Sequence, residues 1–402
     1  MFMIEKALVG GRRYWTWTLG LFAVVAVGLL CYFRQLSYGL GITGMSRNVT
    51  WGLYIGQFTF LVGVAASAVM VVLPYYLHNH KEFARMAILG EFLAISAVSM
   101  CVLFIFVDMG QPSRVLNILL YPTPRSIMFW DMVSLSGYLV LNALIALVTL
   151  GAERKGVAPH EWIKPIILLS IPWAISIHTV TAFLYSGLPG RSFWLTAILA
   201  PRFMASAFAS GPALLILLCM LLRKLTGYDV GSKAISTLAV IVTYAMVANV
   251  FFLLMELFTS FYSQVPSLVE HFQIMYTGMQ GAASLLLFLG RLSVALMALA
   301  LLLLLIPGTR RNERSLAVAC VVTFLSLWID KGVCLVVGGF MPSPLGVMTR
   351  YVPTLPEILI SVGVWAVGAL MITVFYKIAL SVRQSALGLP VEHGTTPLPV
   401  AK

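Results

Sequence analysis

Long apolar runs dominate this sequence and restrict it to a small set of folds. A helix that crosses a membrane needs about 20 apolar residues, because it rises about 1.5 Å per residue through a hydrocarbon layer about 30 Å thick. Only 10% of the 402 residues are charged, whereas a soluble globular protein carries about a quarter. We therefore predict an all-α, polytopic membrane protein with ten transmembrane helices. Ten runs reach the required length, at residues 14–33, 49–77, 84–108, 127–150, 162–186, 195–222, 233–262, 282–306, 314–338 and 356–381.

The order of these runs indicates an internal repeat. Helices 2 to 5 and helices 6 to 9 cross the membrane with the same polarity, because corresponding members are four helices apart. Each group carries an acidic residue near the outer end of its second helix, which is the end on the side opposite to both chain termini. This residue is Asp108 in the first group and Glu256 in the second. We expect two four-helix bundles, at residues 49–186 and 195–338, with helices 1 and 10 on their flanks.

Lysine and arginine are distributed unequally between the two sides of the membrane. Seventeen fall on the side that holds both chain termini and seven on the other side. Because cytoplasmic loops carry the excess of basic residues, we predict an inner-membrane protein with both termini in the cytoplasm. The net charge of +12 then reflects loop bias and contact with anionic lipid, not nucleic-acid binding. Residues 1–386 would form the membrane domain, and the proline-rich tail 387–402 would be disordered. The seven outer residues are Arg34, Arg47, Arg114, Arg125, Arg191, Arg202 and Arg350.

The connection between the third and fourth runs carries the most distinctive motif. It reads Asp-Met-Gly-Gln-Pro-Ser-Arg from Asp108 to Arg114, and Ser-Ile-Met-Phe-Trp-Asp from Ser126 to Asp131. The connection contains three prolines, Pro112, Pro122 and Pro124, which prevent a regular helix interior. We expect a rigid, non-helical cap that joins two membrane helices and has a carboxylate at each edge. An ordinary loop with helix caps would account for the same residues.

These segments resemble the signature of the NrfD/polysulfide-reductase membrane-subunit family, which reads roughly Asp-Leu-Gly-Arg-Pro-x-Arg and Ser-Pro-Met-Phe-Trp-Gly. Gln111, Ile127 and Asp131 depart from that pattern. The segment 188–213 is similar to the ten-helix branch of the family, which includes the membrane subunits of the Dsr sulfur-metabolism complex and the Hmc complex. The resemblance implies eight core helices in two bundles, with one helix added at each end.

The resemblance also implies a function. Members of this family are quinone-reactive membrane subunits of respiratory electron-transfer complexes, here of sulfur-compound metabolism. Such a subunit would exchange electrons between membrane menaquinone and a periplasmic iron–sulfur or cytochrome c subunit, beside other membrane and cytoplasmic subunits. The five cysteines form no Cys-x-x-Cys motif, and a bis-histidine haem needs a second intramembrane histidine. We therefore expect an exchangeable quinone and no haem, iron–sulfur cluster or metal held by this chain.

His178 is the one histidine that lies clearly within an apolar run. A polar group in the membrane is costly unless it is paired or used in function, although a hydrogen-bonded core histidine would also satisfy this condition. Quinone chemistry needs hydrogen-bond donors for the two carbonyl oxygens, a group that titrates near neutral pH and a carboxylate to relay protons. Residues at a similar outer depth supply these groups. We predict a quinone site formed by His178, Tyr54, Gln57, Asp108, Arg114, Trp130, Asp131 and Tyr185.

The second bundle contains two acidic and two basic residues in its outer parts, Glu256, Arg291, Asp330 and Lys331. Each would cost about 2.5–3.5 kcal/mol if it were inserted without a partner. They are interpreted either as a structural salt-bridge network or, together with Asn249, as part of a proton path. The inner halves of helices 8 and 9 are almost wholly apolar, which does not favour a continuous path through them.

Two other function classes fit the same composition. An ion or solute transporter would explain an internal repeat and buried charges, but such proteins interrupt helices near the midplane, whereas the prolines here gather mainly in the outer loops. A membrane anchor without its own quinone site would explain the outer loops as a docking surface. Those loops would also serve simply to close the helix bundle.

Overall fold

The computed structural model describes residue 5 and residues 7–77, 80–278 and 284–386. Within these ranges no strand occurs, and ten helices are long and apolar enough to cross a membrane. The prediction of an all-α membrane protein with ten spanning helices is therefore confirmed, whereas the predicted tail 387–402 lies outside the described residues. The helices are α1 (Arg12–Tyr38), α2 (Leu53–Tyr75), α3 (Lys81–Asp108), α4 (Ile127–Lys155), α5 (Ile163–Ser186), α6 (Leu199–Thr226), α7 (Ser232–Tyr262), α8 (Leu285–Leu305), α9 (Glu313–Gly338) and α10 (Leu355–Arg383). We call the end that holds the α3–α4 connection the outer end.

Helix α2 lies at the centre of the assembly. Nearly every residue of its first part, Leu53–Ala65, is buried, and it packs against α3, α6, α9 and α10. Glycines allow these close contacts. A Cβ atom on Gly56 would lie 2.5 Å from the carbonyl oxygen of Gly332 in α9, and one on Gly63 would lie 3.4 Å from Ala207 Cα in α6. Small residues bring membrane helices together in this way, because close backbone approach increases their van der Waals contact.

Helix α1 lies at the periphery and packs mainly against α10. Gly28 and Gly363 form the crossing point, since a Cβ on Gly28 would come within 2.8 Å of Gly363 Cα. Most of the large apolar side chains of α1 are exposed, among them Phe22, Leu30 and Phe33. In a membrane these side chains face lipid, where exposure of apolar surface carries no penalty.

The remaining helices form a continuous set of neighbours. Contacts join α3 to α4, α4 to α5, α6 to α7, α8 to α9, and α6 to α9. Because α2 also packs against α6 and α9, the two groups of four share an extensive interface. The division into bundles at residues 49–186 and 195–338 stays a prediction.

Two spanning helices depart from regular α geometry in their interior. Helix α2 is interrupted at Ala66, where the backbone N–H bonds to the carbonyl oxygen of Gly63 in a tighter turn. Helix α9 contains a π-helical segment, Trp328–Cys334, which includes Asp330 and Lys331. A π segment inserts one extra residue per turn and changes the direction of the side chains that follow, and it is often found at functional sites.

A buried carboxylate holds the outer ends of α2 and α10 together. Glu357, in the first turn of α10, accepts hydrogen bonds from the backbone N–H groups of Gly44 (3.0 Å) and Leu53 (3.2 Å) and bonds to the hydroxyl of Tyr351. The N–H of Leu53 is one of the donors that a helix start leaves unsatisfied. Glu357 therefore caps the start of α2, although the two lie about 300 residues apart in the chain.

Candidate functional site

One face of α5 carries the central polar residues of the outer half. His178, Thr181 and Tyr185 are spaced by three and four residues, so they project on the same side of the helix, and all three are fully buried. Thr181 Oγ1 donates to Asp131 Oδ1 in α4 over 2.7 Å. The hydroxyl of Tyr185 bonds to that of Thr59 in α2. This face of α5 therefore connects α4 and α2 through side-chain hydrogen bonds.

His178 differs from its neighbours because neither ring nitrogen has a hydrogen-bond partner among the described residues. Its ring lies edge-on to Phe208 of α6, with centroids 6.4 Å apart. A buried polar group without a partner costs about 1–3 kcal/mol. An imidazole kept at this cost is available to bind a ligand through either nitrogen.

Aromatic side chains surround Tyr185 at the outer end. Ring centroids of Trp51, Trp194 and Phe203 lie 5.5, 5.0 and 6.0 Å from that of Tyr185. Trp194 Nε1 donates to the carbonyl oxygen of Leu335 over 2.9 Å, which fixes the indole against α9. The sequence analysis missed Trp51, at the start of the second apolar run, and Trp194, just before the sixth, because neither showed a periodic signal.

Tyr54 and Asp108 belong to a second polar group near the outer end. The hydroxyl of Tyr54 donates to Gln35 Oε1 over 2.7 Å, and Gln35 Nε2 donates to the carbonyl oxygen of Val107 over 2.6 Å. Asp108 follows directly, and its Oδ1 is buried with no partner in the described part of the chain. Gln35 of α1 was not predicted, although a glutamine near the end of an apolar run was a usable signal.

Three other predicted quinone-site residues do not join the His178 face. Gln57 Oε1 accepts from Trp328 Nε1 (2.8 Å) and from Trp365 Nε1 (2.9 Å), so the side chain points toward α9 and α10. Trp130 is about half exposed, and its Nε1 donates to the carbonyl oxygen of Pro124 over 2.8 Å. Arg114 is exposed on the short helix Pro112–Arg114 of the outer connection. Equal depth placed these residues together in the sequence analysis, but depth alone does not specify the direction of a side chain.

The charge network in the second group of helices is centred on Arg202. Its guanidinium bonds to Glu256 Oε2 and, over 2.7 Å, to Asp330 Oδ2, and all three side chains are buried. A guanidinium can bind two carboxylates at once because its N–H donors are arranged in a planar fork. The sequence analysis had counted Arg202 only among the basic residues of the outer side, and the start of α6 carries it inward to the two carboxylates.

Arg291, which was predicted in this network, lies elsewhere. Its residue is exposed, and its guanidinium donates to the carbonyl oxygens of Tyr276 (2.9 Å) and Thr277 (3.1 Å). These carbonyls end the π-helical segment Gln273–Thr277. Arg291 therefore satisfies acceptors at a helix end and makes no contact with the buried carboxylates.

Lys331 is buried between α2, α6 and α9 but forms no ion pair with any described carboxylate. Its Nζ lies 3.4 Å from the carbonyl oxygen of Phe203 and 4.2 Å from the centroid of the Phe203 ring. A Cβ on Gly63 would lie 3.3 Å from the same nitrogen. The ammonium is therefore held by a carbonyl and an aromatic face, which is weaker compensation than a carboxylate provides.

Asn249 faces a small internal cavity of about 10 Å³, which also meets Arg202, Asp330 and Lys331. Its Nδ2 lies 3.7 Å from Met297 Sδ, and its Oδ1 has no partner in the described ranges. This volume is about the least that holds one water molecule, and the polar lining suits such a molecule. It is far too small for a quinone head group.

A larger groove of about 260 Å³ opens at the surface between the outer ends of α5 and α6. It lies beside Tyr185 in the chain, and its lining mixes apolar surface with two hydroxyls. The lining residues are Phe183, Ser186, Leu195, Thr196, Ala197 and Ala200.

The sequence comparisons identify the family. Residues 41–341 match the family described as "Polysulphide reductase, NrfD". The chain belongs to this family. It is 26% identical to a putative membrane subunit of a dimethyl sulfoxide reductase from Halobacterium salinarum, over 90% of this chain and 89% of that protein. It is 23% identical to the "Hdr-like menaquinol oxidoreductase integral membrane subunit" of Archaeoglobus fulgidus, over 95% and 97%. With the "Menaquinone reductase, integral membrane subunit" of Nitratidesulfovibrio vulgaris it shares 21% identity, over 91% of each chain.

Family membership confirms the resemblance that the Asp108–Asp131 segment indicated. The narrower likeness to the Dsr and Hmc branch stays a prediction. In this family member, the structure brings together His178, Asp131 and Tyr185, with Thr181 and Thr59 as partners that the sequence analysis did not name.

Outside the spanning helices, a second buried histidine lies near the outer end. His271, in the short helix Pro266–Phe272, stacks on Phe193 with centroids 5.1 Å apart. Its Nδ1 lies 2.6 Å from the carbonyl oxygen of Ser267. Burial lowers the pKa of His271 to about 4, against the opposing effect of that hydrogen bond. His271 is therefore neutral at physiological pH.

Proposed function

We propose that this chain is the quinone-reactive integral membrane subunit of an electron-transfer complex, and that His178 binds the quinone head group. The observation that carries the proposal is the fully buried His178 side chain, whose two ring nitrogens are both unpartnered among the described residues. A quinone carbonyl is an acceptor that either tautomer of the imidazole can satisfy. Two relatives carry menaquinol or menaquinone in their names, which supports menaquinone as the ligand.

The residues around His178 suit the chemistry of this ligand. A bound quinone supplies a carrier that takes up or releases two electrons and two protons. His178 would donate to a carbonyl oxygen, and Tyr185 would offer an aromatic surface at the outer end. Thr181 links the same helix face to the Asp131 carboxylate over 2.7 Å, so Asp131 would accept and return protons.

Other predicted residues take more limited roles in this proposal. Tyr54 and Asp108 form a polar group at the same outer end, and the unpartnered Oδ1 of Asp108 is a second candidate acceptor for a proton. Gln57, Arg114 and Trp130 point elsewhere, so we assign them no contact with the head group. The groove of about 260 Å³ between the outer ends of α5 and α6 has a largely apolar lining, so it would take the isoprenoid chain.

The electrons would pass to or from a partner protein at the outer end. The exposed Arg114 and the proline-rich connection around it offer a docking surface for an iron–sulfur or cytochrome c subunit. Relatives named as subunits of selenate and dimethyl sulfoxide reductases support assembly with other subunits. A role in sulfur-compound respiration rests on the ten-helix branch resemblance and on the dimethyl sulfoxide reductase relative. The basic-residue bias supports an inner-membrane location with cytoplasmic termini.

The interruption of α2 does not support the alternative function of an ion or solute transporter. Ala66 keeps helical backbone angles, with φ −64° and ψ −9°, and the chain resumes as helix at Ser67. Transporters bind ions at segments that are unwound over several residues and expose free carbonyls. A single tight turn provides no such site.

The test is the substitution His178→Phe in the intact complex, with His160→Phe as the matched control. His160 lies exposed before α5, so the control makes the same change away from the site. Loss of one hydrogen bond to a buried carbonyl costs on the order of 1–3 kcal/mol, which corresponds to a tenfold to hundredfold weaker binding of 2,3-dimethyl-1,4-naphthoquinone. Assembly should survive, since phenylalanine is more favourable than histidine in an apolar environment. Unchanged binding and turnover in His178→Phe would show that the quinone binds elsewhere.

A further inference from the structure

A buried acidic residue in the inner half of the protein has no role in the site described so far. Glu91 lies on α3, its residue is 3% exposed, and its Oε2 has no hydrogen-bond partner among the described residues. It follows Ala84, where the regular helix begins, by seven residues, or about 10 Å of helix rise. Glu91 is therefore close to the inner end, on the opposite side of the membrane from His178.

Apart from Asp108, whose unpartnered Oδ1 belongs to the outer-end polar group, the other buried carboxylates of the described chain are compensated. Glu256 and Asp330 bond to Arg202, Asp131 accepts from Thr181, and Glu357 accepts from backbone N–H groups. Glu91 has no described ion-pair or hydrogen-bond partner of this kind. An ionisable residue kept within a membrane without such compensation marks a functional path more often than a structural contact.

A charged cluster separates Glu91 from the inner aqueous phase. Arg383 donates to both carboxylate oxygens of Glu153 (2.9 and 3.0 Å) and to the carbonyl oxygen of Arg85 (2.7 Å). About a third of the Glu153 side chain is exposed. Arg85 precedes Glu91 by six residues, or about 9 Å along α3. Arg383 thus links the partly exposed carboxylate of Glu153 to a residue that lies less than two helical turns from Glu91.

Polar groups continue from Glu91 toward the outer half along α2. Gly90 packs on the interruption of α2, since a Cβ there would lie 3.5 Å from the Ser67 carbonyl oxygen. The Tyr138 hydroxyl donates to the carbonyl oxygen of Ala65 over 3.3 Å. About half a turn further out, the Lys331 ammonium lies beside Gly63. The Thr59–Tyr185 pair, which belongs to the His178 face, follows at the next turn.

We propose that Glu91 is a proton-relay residue that exchanges protons between the inner aqueous phase and the outer-half site. Its carboxylate would accept one proton at Oε2, become a neutral carboxylic acid, and release the proton toward the opposite side. The path would run from Glu153 past Glu91 and along α2. The electrons of the redox reaction stay at the outer end and do not pass this residue. This inference rests on the proposed quinone function.

The first test does not depend on turnover. Dicyclohexylcarbodiimide reacts with protonated carboxyl groups in apolar surroundings, and its adduct is located by mass spectrometry of the digested complex. We expect an adduct on Glu91 in the native complex and none in Glu91→Gln. The control Glu161→Gln removes an exposed inner-end carboxylate that pairs with Lys164, and should leave the Glu91 adduct unchanged. A native complex without an adduct on Glu91 would overturn the inference.

The second test measures the side of proton exchange. The complex is reconstituted in vesicles, with a pH-sensitive dye trapped inside or added outside, and is supplied with 2,3-dimethyl-1,4-naphthoquinol and a soluble acceptor dye. We expect the pH change on the side that holds the inner end. Glu91→Gln should remove that change and lower turnover by about tenfold or more, while binding of the naphthoquinone and thermal stability stay as in the parent. Glu91→Asp, which keeps the carboxyl group, should restore part of the rate.

The outcomes separate this inference from the proposed function. Normal quinone binding with a pH change only at the outer side would refute the role of Glu91 and leave the quinone site intact. Loss of stability together with turnover in Glu91→Gln, and no recovery in Glu91→Asp, would make Glu91 a structural residue. A parent complex that binds no naphthoquinone would instead refute the proposed function.

Discussion

Replacing Arg202 with methionine tests whether the buried charge network is structural. The substitution keeps an unbranched side chain but removes the cation that bonds to both Glu256 and Asp330. Each charge-assisted hydrogen bond to a buried group contributes about 1.5–3 kcal/mol. Two such bonds give about 3–6 kcal/mol, which agrees with the roughly 3–5 kcal/mol that breaking a buried ion pair costs. We expect the free energy of unfolding to fall by this amount.

The assay is denaturant unfolding of the purified protein in detergent, followed by tryptophan fluorescence. Arg291→Met is the matched control, because Arg291 is an exposed arginine near the same end that bonds to backbone carbonyls. Its loss removes two hydrogen bonds made from an exposed position and should cost about 1–2 kcal/mol. A triple variant, Arg202→Met with Glu256→Gln and Asp330→Asn, removes the stranded charges and should recover a large part of the lost stability.

Two results would refute this reasoning. If Arg202→Met is no less stable than Arg291→Met, the three side chains do not form a structural network. If Glu256→Gln keeps full stability but abolishes proton release during turnover, the network belongs to a proton path. In that case the small cavity beside Asn249 would be the place where its water enters.

Three further outcomes are expected. Gly28→Leu should separate α1 from α10 and lower the free energy of unfolding by about 1–3 kcal/mol, because its Cβ would lie 2.8 Å from Gly363 Cα. Gly20→Leu, on the same helix with open space around it, should have little effect. Equal losses of stability in the two variants would contradict the proposed crossing. Burial holds the pKa of His271 at about 4, below its ordinary value near 6.5. Between these two pH values the unfolded chain binds a proton that the folded chain does not, so the free energy of unfolding should fall by about 2 kcal/mol from pH 7 to pH 5. An equal pH dependence in His271→Gln would exclude this origin. A reporter fused after Lys402 should be active in the cytoplasm, and activity in the periplasm would reverse the orientation.

The local sequence was sufficient to predict the membrane helices, because the bilayer restricts which backbone structures can cross it. Every backbone polar group must be satisfied inside the hydrocarbon layer, so an apolar run of about 20 residues has the helix as its only stable single-segment structure. For the same reason the ten spans agree with the predicted runs to within a few residues at most ends. The motif between Asp108 and Asp131 also indicated the family, and the comparisons confirm that family.

The partners of each polar side chain depended on the tertiary structure. Depth along a helix can be counted from the sequence, but the rotation of one helix against another depends on packing between residues far apart in the chain. Arg291 and Arg202 show the difference: both were assigned to the outer end, yet only Arg202 turns toward Glu256 and Asp330. Gln57 likewise shares the depth of the site but faces two tryptophans of α9 and α10.

The sequence alone therefore determined the number of spans, their approximate ends, the family and the depth of each polar residue, because these follow from apolar length and local motifs. Only the tertiary structure decided that His178 is left without a partner among the described residues, that Glu91 is isolated in the inner half, and that Arg202 is buried. The physical reason is that hydrogen bonds and ion pairs act over a few ångströms. Whether a side chain finds a partner depends on contacts such as Gly56 with Gly332, which bring distant helices close enough to set their rotation.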